Sequence, residues 1–145
     1  MTSEEQQRVK ILFSVEGNDG SLEIESLWAV SKAGGYQIDS IPFCAKNIAC
    51  NDIVSAEPDS GGMLWFKALV FASGHSTVRL WFADAGHVAA VRERLREMGC
   101  ATELDLLRLV AVDIPPSTRY EAVHTYLEQQ ELAGVLEYEE ACIGQ

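Results

Sequence analysis

The chain changes character once, at Ser73-Gly74-His75-Ser76-Thr77-Val78-Arg79, and that change constrains its fold more than any other feature. Before it, short apolar runs are punctuated by glycine- and proline-rich turns. After it, strand patterns alternate with helical ones. A polar cluster with a glycine hinge at such a seam is where a site is expected.

In the first part, Val9, Ile11, Phe13 and Val15 fall on one face of a strand. Gly17-Asn18-Asp19-Gly20 reads as a turn, and Leu22 to Ser31 as a second strand. Ala33-Gly34-Gly35 reverses the chain into a third strand, Tyr36 to Ile41, which ends at Pro42 because proline cannot donate to a ladder. Cys44 to Asn51 is an irregular link. A fourth strand starts at Ile53 and stops at Pro58-Asp59-Ser60-Gly61-Gly62, and Met63 to Ala72 is the fifth. Short strands with tight turns predict a five-stranded small barrel or curled sheet over 8–73.

The second part reads as strand, helix, strand, strand, helix, strand. Thr77 to Phe82 is a strand with Val78, Leu80 and Phe82 on one face. Asp84 is placed to cap a helix whose stripe is Val88, Val91, Leu95 and Met98, with Gly99 just past its end. Cys100 to Leu106 and Leu107 to Ile114 are strands. Thr118 and Glu121 have capping-box spacing before a second helix that should bury Ala122, Val123, Tyr126 and Leu127. Val135 to Ile143 is the last strand. The order predicts a ferredoxin-like βαββαβ unit over 74–145, giving an α+β chain with residues 1–7 as a disordered tail. Both helices should cover one face of the sheet. Trp81 and Leu109 then lie on the other, and are expected to be buried against the N-terminal strands in one continuous core.

The formal net charge of the 145 residues is −11. A phosphate backbone requires Lys and Arg, so nucleic acid is a poor partner, and anionic membranes are disfavoured for the same reason. No signal-peptide pattern or bilayer-length apolar run occurs, which predicts a cytoplasmic protein. Cys44, Cys50, Cys100 and Cys142 show no C-x-x-C spacing and are expected to be reduced. His75, His87 and His124 are scattered, with no metal-ligand spacing; there is also no phosphate loop, dinucleotide fingerprint or nucleophile elbow. No cofactor and no metal are expected.

His75 and Ser76 invite a nucleophile-and-base reading with Asp39 or Asp52 as the orienting acid. Neighbours in a strand point to opposite faces, however, so His75 is badly placed to activate Ser76, and Cys44 has little positive charge nearby besides Lys46. The alternative is a turn whose hydroxyls bond nearby backbone. Arg79 and Glu139 should be cross-strand neighbours on the open face. They form either a structural ion pair or, with His75 and Thr77 beside Arg79, an anion site.

Several stretches resemble an uncharacterised bacterial family, domain of unknown function 4265. They are Glu25-Ser26-Leu27-Trp28-Ala29, Tyr36 to Phe43, Asp52 to Glu57, Ser73 to Arg79, and Glu137 to Cys142. One departure is that Asn51 stands where that family often has glycine, and Asn also tolerates a left-handed turn. The resemblance implies no activity.

Two functions stay open. One is a non-enzymatic interaction module, inhibitor-like or immunity-like, whose acidic surface, including Glu137, Glu139 and Glu140, binds a basic protein. The other is a ligand-binding or catalytic domain with Trp28, Phe43, His75, Ser76 and Arg79 lining the seam. Monomer and homodimer are both open.

Overall fold

The computed structural model describes residues 7–17 and 19–145. Asn18 of the first turn, and all of the expected tail except Gln7, lie outside the described residues. The fold is a mixed α+β arrangement of two sheets and two α-helices.

Strands β1 (Arg8–Glu16), β2 (Leu22–Lys32), β3 (Gly35–Ile38), β4 (Ile53–Pro58) and β5 (Leu64–Phe71) pair antiparallel in chain order. In addition β1 runs parallel to β5 at Ile11–Leu64 and Leu12–Trp65, so the hydrogen-bonded ring closes on itself. Its interior is filled by Ile11, Phe13, Leu27, Ala29, Ile38 and Val54, the inward positions that alternation predicts. Gly35 has no room for a Cβ, which would collide with the Val54 carbonyl oxygen across the β3–β4 pair.

The second sheet is built from β6 (Ser76–Phe82), β7 (Ala101–Asp105), β8 (Leu109–Ile114) and β9 (Leu136–Cys142), in the order β7-β8-β6-β9 and antiparallel throughout. Helices α1 (Val88–Glu97) and α2 (Tyr120–Leu132) both pack on the face that carries Val78, Leu80, Phe82, Val110, Val112 and Ile114. Val88, Val91 and Leu95 of α1 and Val123 and Leu127 of α2 complete that core. Asp84 accepts from the Gly86 N–H at 2.9 Å and opens the helical segment with one 3₁₀ turn, Ala85–His87.

Two local expectations are corrected. Thr118 does not cap α2, because its hydroxyl donates to the Met98 carbonyl instead. The Tyr120 N–H is met by Gln145 Oε1 at 3.2 Å, so a side chain from the far end of the chain supplies the partner that the capping box would have given. Ala122 is exposed rather than buried.

The larger correction concerns the core. The ring and the helix-covered sheet have separate apolar clusters. Between them lies the irregular segment 39–52. Its Ala45 and Ile48 turn into the ring's cluster, while its backbone faces the second sheet. Asn51 takes φ 70° in this segment, the left-handed conformation that Asn tolerates in place of glycine.

Candidate functional site

The uncovered face of the second sheet is read from register, since directly opposed residues share a face. Its first row across β7, β8, β6 and β9 is Asp105, Leu109, Trp81, Glu137. The second row is Glu103, Ala111, Arg79, Glu139, and the third contains Ala101, Asp113 and Thr77.

On β8 and β6 the second and third rows are closed over by the 39–52 segment, whereas Glu103 and Ala101 on β7 stay exposed. Arg79 is only 2% exposed, and its guanidinium is used entirely inside the protein. It donates to the carbonyls of Pro42 (3.2 Å), Cys44 (3.2 Å) and Ala45 (2.9 Å), and its Nε meets Glu139 Oε1 at 3.1 Å. Arg79 therefore forms the structural ion pair and has no donor directed at an outside anion. Glu25 of β2 holds the same loop from the other side: its carboxylate accepts from the N–H groups of Phe43 (2.7 Å), Cys44 (3.0 Å) and Ala45 (2.8 Å). Buried Asp52 ties the next part of the chain, accepting from Ala49 N–H and from both the N–H and the hydroxyl of Ser73.

His75 joins the second sheet to the 39–52 segment. Its Nδ1 lies 2.9 Å from Asp113 Oδ1, and its Nε2 lies 3.3 Å from Asn51 Nδ2. An amide N–H can only donate, so these contacts place the imidazole proton on Nδ1 and the lone pair on Nε2. Burial pushes the Asp113 carboxyl above its usual 3.8, and the His75 hydrogen bond pulls it back only in part. Neither Asp39 nor Asp52 orients the ring. Ser76 is fully buried and accepts from the Gly144 N–H at 2.9 Å, pinning the end of the chain.

Trp28 and Phe43 are brought together, but elsewhere: they line a shallow groove with Arg8, Asp39 and Ser40. Arg8 and Lys10 both stand over the Trp28 ring, at 4.6 and 4.9 Å from its centroid. The five residues expected to line one site thus fall into three places. Glu137 and Glu140 are exposed on the edge strand β9, whereas Glu139 is half-buried against Arg79 and Lys46.

All four cysteines are free thiols. Burial pushes Cys50 up to about 12 with help from Asp113 and Asp39, and burial likewise raises Cys44 and Cys142, so none has the depressed pKa of a nucleophile. Among the described residues, no group of three or more His, Cys, Asp or Glu could hold a metal ion. Nor is any helix among them long and apolar enough to cross a membrane.

Trp81 and Leu109 are not buried as expected. The 39–52 segment stops short of the first row and leaves Trp81 42% exposed. The turn after β7 adds Leu106 and Leu107, at 83% and 74%, and these side chains enclose a groove of about 630 Å³. The strand alternation already puts Leu107 on this open face with Leu109; sequence reasoning missed Leu106, because it assigned it to a strand end. It also missed Glu25 and Asp113, which no spacing rule singles out.

Residues 25–138, from β2 to β9, match the family described as Domain of unknown function (DUF4265). The chain belongs to this family. It is also similar to the crystal structure of a hypothetical protein from Neisseria gonorrhoeae, with 27% sequence identity, a TM-score of 0.82, and coverage of 97% of this chain and 99% of that one. A comparison with curated proteins finds no match. The family match runs through Glu25, the 39–52 segment, Arg79 and Asp113, so it takes in both sheets and the polar layer between them.

Proposed function

We propose that this protein is a cytoplasmic, non-enzymatic interaction module whose acidic surface binds a basic protein, in the manner of an inhibitor or immunity protein. We read its architecture as a small five-stranded barrel, 8–73, packed on a ferredoxin-like unit, 74–145. The sheet order β7-β8-β6-β9 supports the second part of that reading.

The observation that carries the functional reading is how the seam's polar groups are used. Arg79, Glu25, Asp52 and Ser76 bond to the chain's own backbone, so the charge left facing solvent is predominantly the excess of carboxylates behind the net −11. Such a field steers a cationic protein and repels nucleic acid. The test is to immobilise the protein and offer basic and acidic protein fractions separately. Retention should come from the basic fraction and be reversed by moderate salt. Salt-insensitive retention from the acidic fraction would overturn the reading.

One observation favours the second reading, a catalytic or ligand site at the seam. Asp113 on His75 Nδ1 orients the imidazole as in a general base, and its Nε2 lone pair, which accepts from Asn51 Nδ2 at 3.3 Å, would reach a substrate proton once that contact is exchanged. A small molecule carried through purification and seen by native mass spectrometry, then lost in His75→Asn, would support it.

A further inference from the structure

The bare end of the second sheet has three features that go together. Trp81 and Leu109 form an apolar pair at its centre. Carboxylates stand at both ends of the same row: Asp105 opposite Leu109 on β7, and Glu137 opposite Trp81 on β9. Neither has an ion-pair partner among the described residues. The turn above the row is built against ordinary turn chemistry. Leu106 adopts φ 57°, a conformation favouring Gly or Asn, and both it and Leu107 are presented to solvent. Backbone strain of this kind clusters at ligand clamps and other functional sites. Arg108, the cation in the groove lining, is held by its own chain through the Ala83 carbonyl at 3.2 Å.

We infer that this groove docks an extended segment of a basic protein in which one apolar side chain is flanked by Lys or Arg two residues away on each side. The inference rests on the interaction-module reading and names its site and the partner's chemistry. The spacing follows from the sheet. Asp105 and Glu137 lie three strand intervals apart, about 14 Å. An extended segment covers that in about four residues, and positions i−2, i and i+2 point to one side. The apolar residue then enters between Trp81, Leu107 and Leu109, while the two cations meet Asp105 and Glu137. A second copy of this chain is the wrong occupant. A two-fold contact would bring two such acidic-edged rows together between molecules that each carry −11.

The test uses a phage-displayed library of random heptapeptides selected on the intact protein, followed by calorimetry with the synthetic consensus peptide. Enriched peptides should share a basic–x–apolar–x–basic pattern. Leu107→Ser and Trp81→Ala should weaken binding about tenfold or more, the usual effect of losing a central anchor. The exposed changes Asp105→Asn and Glu137→Gln should weaken it less and flatten its salt dependence. Enrichment of peptides without basic flanks, no enrichment at all, or binding indifferent to these four changes would overturn the assignment. So would a dimer in sedimentation that Leu107→Ser dissociates. If the four variants still retain basic proteins in a salt-dependent way, only the groove assignment fails; if the wild type retains none, the interaction-module reading fails.

Discussion

Glu25 on β2 and Arg79 on β6 make no bond to each other, yet both hold the loop Pro42 to Ala45 and share two of its residues, Cys44 and Ala45. Glu25 takes N–H groups of that loop and Arg79 takes its carbonyls. Each charge is matched to the end of the peptide dipole that it faces, and together they fasten the ring to the second sheet through backbone alone.

The first expectation concerns that pair. Arg79→Met strips three carbonyls and Glu139 of their donor, and should cost about 3–5 kcal/mol in urea unfolding. Glu25→Gln should cost about 1–3 kcal/mol. Because a loop released by one change cannot be released again by the other, the double variant should lose less than the sum, with a coupling of about 0.5–3 kcal/mol. Additive losses would show that the two residues act on the loop independently.

Trp81 and Leu80 are neighbours in β6 that face opposite sides of the sheet. Leu80 is fully buried beneath the helices, and Leu80→Ala should cost about 2–5 kcal/mol. Trp81→Ala should cost about 1 kcal/mol or less, since nothing of the ring packs over the groove. A large loss from Trp81→Ala would restore the shared-core arrangement that the exposed groove argues against.

Asp113 gives a pH dependence of definite sign. Its folded pKa is raised above 3.8 by burial, so the stability it contributes is fully present below about 3.8 and is lost as pH rises through the higher folded value. Asp113→Asn removes that loss and keeps an oxygen to accept the His75 Nδ1–H. The variant should therefore gain stability relative to wild type between pH 3 and pH 7 in chemical denaturation. A relative gain by wild type over the same range would mean that attraction to a charged His75 outweighs burial.

Thiol reactivity should follow burial. Cys44 is exposed, whereas Cys50 and Cys100 are pushed up to about 12 and about 11. With an aromatic disulfide reagent at pH 8, Cys44 should react first, and Cys50 and Cys100 only on unfolding. The fast phase should vanish in Cys44→Ser. A fast phase that survives would place the reactivity at one of the less exposed thiols, Cys50, Cys100 or Cys142.

Much of this architecture is local in origin and was legible from the chain alone. A side-chain period of two along Val9 to Val15 and Val78 to Phe82, and the stripe Val88, Val91, Leu95, name the buried faces before any strand is paired. The same alternation, with the order of elements, puts Arg79 across from Glu139. What tertiary structure alone decided was which end of the open face is covered. That depends on the path of 39–52, a segment with no period. Its course is set by bonds to Glu25, which lies 18–20 residues before the loop N–H groups it holds, and to Arg79, which lies 34–37 residues after the carbonyls it holds. Thr118 failed as a cap for the same reason, because Met98 and Gln145 offered partners from distant parts of the chain. Periodicity reports how a residue relates to its near neighbours, whereas irregular backbone takes its partners from wherever the fold brings a charge or an amide within reach.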